Sequence, residues 1–577
     1  MKKVFRISLI ALLGFTMACS EEFLDRPPYG VVGESQLATP AGVNALLIGA
    51  YSVLDGFGTG GTGTWDAAAS NFVYGSIASD NAYKGTDAGD QPPMTTIERF
   101  VHDPALGYFN SKWNAVYDGV SRSNDVLKVL AQTEGLSDTE KKQIEAEARF
   151  LRAHYHFEAV QMWKNVCWVD ETVTDYVSLS NAGTPWDQIE ADFQYSIDNL
   201  PAVQDQVGRA TSWAAKAYKG KAHLFQQEYA AAKTLFDDIL NNGPFSLTDC
   251  YHDNFRIATN NNDESIFEIQ NSVNDGTTGE NGNFADALNY PYTGGPGTCC
   301  GFHQPSQNLV NAHKTDENGL PLLDNFNDDD VTNDEGLAST DPFTEYEGNL
   351  DPRLDWSVGR RGVPYLDWGD HPGRSWIRDQ SYGGPYAPKK NVFYKAEQGS
   401  LSTASGWAQG PNANNIRLIR LSHVILWRAE IAVEENDLET ARTLVNRLRA
   451  RAKNGCWVLE GGVEDNGSHT GPNGEAPAAN YVINEYPAGA AAFSSQASAR
   501  KAVQFETRIE TAMEGNRFFD LVRWGIAAET MNTYFEKEKL KRTYLAGVSF
   551  QAGKHEYYPI PQQQIDIMTN LTQNPNY

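Results

Sequence analysis

The chain is expected to adopt a mainly α fold: tetratricopeptide-like helix pairs form a scaffold, and a long loop-rich segment carrying short strands interrupts them. Three observations lead there. Apolar residues recur at helical spacing over about 108–241 and again over about 416–535. Small residues sit where two such helices would meet in each stretch. Between the stretches, over about 245–415, Gly, Pro, Asn and Asp dominate. Those are turn residues, suited neither to helices nor to long strands.

Composition sets the outer bounds. The 577 residues are 41% hydrophobic and 21% charged, which is ordinary for a globular protein with a large core. The formal net charge is −27. Such a surface repels nucleic acid and offers no basic patch to hold it, so a nucleic-acid partner is excluded. Six cysteines occur, at 19, 167, 250, 299, 300 and 456. With Cys19 assigned elsewhere, five remain, a sparse and odd number that predicts no disulfide framework. No C-x-x-C spacing occurs, so zinc ribbons and thioredoxin-type sites lack support.

The N-terminus reads "LIALLGFTMACSEEFLDRPP" behind Lys2, Lys3 and Arg6. A membrane-spanning helix needs about 20 apolar residues, and the run from Ile7 to Phe15 is far shorter. A basic start, a short apolar core and small Ala18 before Cys19 form a signal-peptide pattern. Thr16-Met17-Ala18-Cys19 resembles the lipobox of bacterial lipoproteins, although the first box position is usually leucine; an ordinary signal peptide with an incidental cysteine is the alternative. Removing the three basic residues with the leader lowers the net charge by three, to −30. Several acyl chains on Cys19 would anchor the chain firmly, at about 0.8 kcal/mol per buried CH₂. Ser20-Glu21-Glu22 resembles the acidic signal that sends Bacteroidota lipoproteins to the outer face of the outer membrane. The expected division is a signal peptide over 1–18, a lipidated tether over 19–40 and a single domain over 41–577.

The first helical stretch opens with Ser137 and Glu140, spaced as a capping box. Ile144, Ala148, Leu151, Tyr155 and Met162 then share one helical face. "AAKAYKGKAHLFQQEYAAAKTLFDDIL" reads as two helices joined near Gln226–Glu228 and resembles a tetratricopeptide unit. The pattern returns in "LSHVILWRAEIAVEENDLETARTLVNRLRARA", where Ala429 matches Ala222, Leu438 matches Tyr229 and Ala441 matches Ala232. A single helix pair cannot bury its apolar face alone, so such units stack.

Two irregular segments break the helices, near 56–90 and over about 245–415. Long irregular loops inside a compact domain are usually functional. They hold Trp65, Tyr290, Tyr292, Trp356, Trp368, Trp376, Tyr382 and Trp407. Each ring is either folded back into a local core or offered to a ligand. Recognition of a ligand of mixed polarity needs flat apolar platforms with a few polar groups beside them. Trp65-Asp66 offers that combination, as do Trp368, Arg374 and Trp376 with Arg378, and Tyr394. Cys299-Cys300 is either a vicinal disulfide, rigid and flat, or two free thiols under a loop; oxidation is permitted outside the cell. The ligand-binding candidates are therefore Trp65, Asp66, Cys299, Cys300, Trp368, Arg374, Trp376 and Tyr394. A third loop near 457–481 is polar and read as solvated.

Catalytic patterns are lacking. Gly58-x-Gly60-x-x-Gly63 does not open a helix within a strand–helix–strand unit, so it is read as a flexible loop. No G-x-S-x-G and no H-E-x-x-H occurs. Asp328, Asp330 and Asp334 lack the glycine and terminal glutamate of a calcium loop. No catalytic residue, cofactor or metal is implied.

The C-terminal part carries "FETRIETAMEGNRFFDLVRWG", then "EYYPIPQQQIDIMTNLTQNPNY". With "FLDRPP", "EARFLRAHYHF", "GRATSWAAKAYKGKAHLF", "DPRL" and "IRLIRLSHVILWRAE", these resemble the SusD/RagB family of outer-membrane glycan-binding lipoproteins, in family order from Cys19 to Tyr577. The resemblance implies a non-enzymatic, lipid-anchored surface protein that binds a glycan and passes it to a SusC-like TonB-dependent transporter. A RagB-type peptide-uptake role is the alternative, and a surface hydrolase a third. Read as residues, Glu514 with Arg517 and Asp520 with Arg523 are spaced three apart and expected to pair on a helix, with Gly515 permitting a turn and Phe518, Phe519 and Leu521 supplying core.

Overall fold

A computed structural model describes residues 33–58, 64–277, 281–297, 299–403 and 410–577. The leader with Cys19, most of the Gly58–Gly63 motif and Trp407 lie outside the described residues. The longer helices are α1 Pro40–Tyr51, α2 Gly107–Gln132, α3 Asp138–Trp163, α4 Trp186–Asn199, α5 Ser212–Phe225, α6 Tyr229–Asn242, α7 Leu421–Glu434, α8 Leu438–Asn454, α9 Gln496–Glu510, α10 Arg517–Arg523 and α11 Ala527–Glu538. Short strands are β1 Ala82–Gly85, β2 Ser265–Ile269, β3 Phe302–Pro305, β4 Val358–Gly359, β5 Ala387–Pro388 and β6 Ile416–Arg420. The fold is mainly helical, as expected.

Local sequence explains the helix ends. Ser137 Oγ accepts from Glu140 N at 3.3 Å, and Glu140 Oε2 accepts from Ser137 N at 2.8 Å. This closes the capping box at the start of α3. Ala148, Leu151, Tyr155 and Met162 are all buried, with Ile144 partly so. In the two matched pairs, Ala222, Ala232, Ala429 and Ala441 are fully buried where the helices cross.

The two helical stretches, distant in sequence, form one continuous stack. Helix α6 packs on α7, with the Phe236 and Trp427 rings 5.5 Å apart and Arg428 bonded to Asp237 at 2.6 Å. The chain leaves this stack after α6 and returns on a two-stranded antiparallel stem. In it β2 pairs with β6, Ser265 facing Arg420 and Ile269 facing Ile416. Phe267 on the stem packs against Phe150 of α3 at 5.0 Å. A second pairing, β1 with β3, sets Tyr83 opposite Gln304. It joins the small irregular segment near 56–90 to the large one, so the two loop regions form one surface.

Beneath the stem lies a buried ion network. Glu510 bonds Arg353 and Arg420 at 2.8 and 2.7 Å and also pairs with Arg451. Glu264 bonds Arg420 and Arg451 at 2.8 and 3.1 Å. Glu506 bonds Arg353 and Arg449 at 2.7 and 3.1 Å, and Asp351 bonds Arg353 at 2.8 Å. Glu514 bonds Arg420 at 2.8 Å and Lys390 at 2.7 Å. These groups tie the stem, α8 and α9 together.

Three expectations are corrected here. Glu514 does not pair with Arg517; Arg517 instead bonds Asp80 at 2.8 Å. The reason is that Glu514 precedes α10 in a turn where Gly515 takes φ +76°, so helical spacing does not apply between them. A Cβ at Gly515 would lie 1.8 Å from the Ser70 carbonyl oxygen, so the close approach requires glycine. Asp520 and Arg523, both inside α10, do pair at 2.8 Å. The second correction concerns the cysteines. Cys250 and Cys456 form a disulfide, and so do Cys299 and Cys300, which leaves Cys167 free and buried. An odd count hid the Cys250–Cys456 pair, while the Cys299–Cys300 bridge is the oxidised one of the two alternatives the sequence left open. The 457–481 loop is also less solvated than expected, since Trp457 stacks on His469 at 3.6 Å.

Candidate functional site

The joined loop surface brings most of the sequence-derived candidates together. Strand β1 ends at Gly85, and the following loop carries Asp87 and Asp90. Buried Lys84 holds this loop from below, donating to the carbonyls of Asp87 and Asp90 at 2.7 and 2.6 Å. Burial lowers the Lys84 ammonium to about 8, against the opposing pull of Glu98, Asp90 and Asp87. Burial likewise raises Glu98 to about 7, opposed by its hydrogen bond from Tyr544.

Arg378 bridges from the far loop to this one. Its guanidinium bonds Asp87 and Asp90 at 2.8 and 2.6 Å and donates to Thr86 Oγ1 at 3.0 Å. It also lies 5.1 Å from the centre of the Tyr292 ring. The vicinal disulfide Cys299–Cys300 leads into Gly301, whose carbonyl accepts from Thr86 N at 2.6 Å. Gly301 N in turn donates to the Tyr290 carbonyl at 3.0 Å. Cys300 is buried and Cys299 half-buried.

Trp376 closes the group on the other side. Its backbone carbonyl accepts from Tyr292 N at 2.9 Å. Its indole covers the Gly294-Gly295 turn, where an added Cβ would come within 2.2 Å of the ring at Gly294 and 2.9 Å at Gly295. Any other residue at either position would displace the indole. The opposite edge of Trp376 meets Tyr365 and His371 in T-shaped contacts at 5.7 and 5.1 Å. Arg374 is exposed; its backbone N–H donates to Asp334 at 3.1 Å.

Trp65 and Asp66 reach the same region through Tyr108. The Trp65 side chain hydrogen-bonds the Tyr108 phenol, which donates to Gln91 Oε1 at 2.5 Å. Asp66 Oδ1 accepts from Thr64 N at 2.8 Å, which holds the turn that presents Trp65. Trp65 itself is half-buried against the main core.

Trp368 and Tyr394 are placed differently. The Trp368 indole donates to the Phe393 carbonyl at 3.0 Å and packs edge-on to that ring at 5.9 Å. Tyr394 lies under the Arg256 guanidinium at 4.7 Å and beside His252 at 5.9 Å. Both pack against the second apolar cluster, as Trp376 also does, but unlike Trp376 neither contacts the Tyr292–Gly295 segment. Sequence reasoning missed Thr86, Asp87 and Asp90. The one available signal was a pair of acids in a Gly-rich stretch, "GTDAGD".

A concave depression of about 980 Å³ lies elsewhere, between α1 and β2, lined by Tyr51, Phe57, Arg122, Arg209 and Gln270 among others. Burial raises the carboxyl of Asp55 at its floor to about 7, against the lowering effect of a backbone hydrogen bond from Phe57 and of Arg122. Among the described residues no helix is long and apolar enough to cross a membrane.

A rigid helical-repeat stack that holds polar and aromatic loops on one surface defines a class of ligand-presenting scaffold proteins. The chain belongs to the SusD family: that family's model matches residues 263–577, and a second, described as starch-binding and associating with the outer membrane, matches 22–224. A curated relative, the SusD-like protein P25 of Formosa agariphila, is 22% identical over 98% of this chain and 97% of its own length. A SusD-like protein of Bacteroides ovatus is 27% identical over 46% of this chain and 49% of its own. Among solved structures, a laminarin-binding SusD-like protein superposes with a TM-score of 0.66 at 22% identity, covering 93% of this chain and all of that one. Surface glycan-binding protein A of Bacteroides thetaiotaomicron, in complex with laminarihexaose, does so with a TM-score of 0.65 at 19% identity, covering 93% and 100%. The fold of these neighbours is the fold found here.

Proposed function

We propose that this protein is a lipid-anchored lipoprotein on the outer face of the outer membrane that captures an oligosaccharide or polysaccharide. It delivers the glycan to a SusC-like TonB-dependent transporter and does not itself cleave it. Supporting the anchor are the short apolar leader and the lipobox-like Thr16–Cys19. Supporting the cargo is the loop surface, where the Tyr292 ring lies against Arg378, itself bonded to Asp87 and Asp90, with Trp376 over the adjoining Gly294-Gly295 turn and Trp65 linked through Tyr108 to Gln91. The observation that carries the reading is Arg378 fixed between two carboxylates against the Tyr292 ring. It is a preorganised polar group beside an aromatic face, as sugar hydroxyls and C–H faces require. Two fold neighbours are described as binding laminarin or laminarihexaose, so a β-glucan of that type is the first ligand to try.

The test is native electrophoresis of the mature protein through gels containing laminarin, other polysaccharides or peptide mixtures. Retardation by a glycan, with no reducing sugar released on long incubation, is expected. Retardation by peptides alone would favour the RagB-type role, and sugar release would identify a hydrolase.

A further inference from the structure

Away from the loop surface, the turn between α5 and α6 gathers three donors. Glu190 comes from α4, His223 from the last turn of α5, and Glu228 from the residue just before α6. One ligand atom from each lies within 4.8 Å of the others. His223 Nδ1 is 2.6 Å from Glu228 Oε2 and 3.6 Å from Glu190 Oε2.

Several contacts hold this grouping in place. The His223 carbonyl accepts from Gln226 N and Glu228 N at 3.1 and 2.9 Å, closing the turn that brings Glu228 to the imidazole. The Gln226 side chain donates to Glu190 Oε1 at 2.6 Å, which orients that carboxylate and leaves Oε2 for His223. The His223 side chain is only 10% exposed and that of Glu190 20%, while Glu228 is 50% exposed. Entry is therefore from the Glu228 side. No lysine or arginine pairs with either carboxylate among the described residues, so two acids face a single imidazole.

We propose that Glu190, His223 and Glu228 form a binding site for a zinc-class divalent ion. One imidazole nitrogen with two carboxylate oxygens suits zinc and neighbouring transition metals, whereas calcium and magnesium take oxygen donors. Bonds of about 2.0–2.1 Å in a tetrahedron place ligand atoms about 3.3 Å apart. The 3.6 Å pair already fits. Rotation of the half-exposed Glu228 carboxylate opens the 2.6 Å pair and draws the wider one in. The ion takes the place of the direct His223–Glu228 hydrogen bond, water completes the fourth position, and Gln226 is the outer partner that orients Glu190. The ion would fasten α4 to the α5–α6 turn, within the scaffold and apart from the loop surface.

The test uses tag-free mature protein stripped with chelator. Zinc chloride is titrated calorimetrically, and cobalt chloride is followed by its visible absorption. One saturable equivalent is expected. His223→Gln, Glu228→Gln and Glu190→Gln should each weaken it at least tenfold, since losing even an outer-shell partner costs about 10–100-fold. Glu485→Gln, at an exposed site elsewhere, should leave it unchanged. Far-UV circular dichroism in chelator verifies the fold of each variant, so that failure of one leaves the other two to read. In zinc-soaked wild-type crystals an anomalous peak should fall between the three side chains, a readout that needs no variant. No saturable binding, a peak elsewhere, or equal binding by folded variants overturns the proposal.

Discussion

Glu510→Gln keeps the size and most hydrogen-bonding capacity of a buried side chain but removes its charge. Glu510 is fully buried and accepts from Arg353, Arg420 and Arg451. The surrounding network balances: Arg353, Arg420, Arg449, Arg451 and Lys390 face Asp351, Glu264, Glu506, Glu510 and Glu514. Burial pushes the Glu510 carboxyl up, yet the three guanidiniums outweigh it and hold it well below the usual range. Neutralising it leaves one positive charge uncompensated away from water, and breaking a buried pair in this way costs about 3–5 kcal/mol. The comparison is Lys501→Ala, whose partner Asp324 is 86% exposed and which is itself 47% exposed. An exposed pair of that kind contributes less than about 1 kcal/mol. The assay is urea unfolding followed by tryptophan fluorescence, with the midpoint and slope fitted for both variants. A Glu510→Gln loss no larger than that of Lys501→Ala would refute the claim that this network holds the stem to the helices.

Other consequences follow from the same contacts. Burial raises the Asp80 carboxyl, but Arg508 and Arg517 outweigh it and bring it from 3.8 to about 2. A folded pKa below the unfolded one contributes stability that is present above about pH 4 and is lost as pH falls towards 2; the shift is worth about 2 kcal/mol. Asp80→Asn should remove that contribution at neutral pH and flatten this part of the acid-unfolding curve. The Cys250–Cys456 disulfide closes 206 residues of chain, for which chain entropy gives about 5 kcal/mol. The double serine variant should therefore lose about 2–5 kcal/mol in urea unfolding. A loss below that range would show that the β2–β6 stem alone holds the insert.

What was legible in the sequence was local. The Ser137–Glu140 cap, the Asp520–Arg523 pair and the Ala222 and Ala429 crossings depend on residues a few positions apart, and periodicity exposes them. The family signature added the order of the parts. What stayed hidden depends on contacts between distant segments. Glu514 reaches Arg420, 94 positions away. The role of Asp87 and Asp90 depends on Arg378 arriving from a loop nearly 300 residues on. Trp65, Cys299, Cys300 and Trp376 fell into one neighbourhood because β1 pairs with β3, a pairing that no short motif marks. Trp368, Trp376 and Tyr394 looked equivalent in composition and all pack against the second apolar cluster, yet only Trp376 also covers the Gly294-Gly295 turn beside Tyr292.

The central claim is that the Tyr292–Trp376–Arg378 surface grips a glycan. Calorimetric titration of laminarihexaose, or of whichever glycan retards the protein, into wild type, Trp376→Ala, Trp65→Ala and Phe57→Ala measures it directly. Both tryptophan variants should lose about 1–3 kcal/mol of binding, the scale of one buried apolar contact. Phe57→Ala, in the depression between α1 and β2, should bind as wild type does. Unchanged binding by folded Trp376→Ala and Trp65→Ala, or loss only in Phe57→Ala, would contradict the account and move the site to that depression.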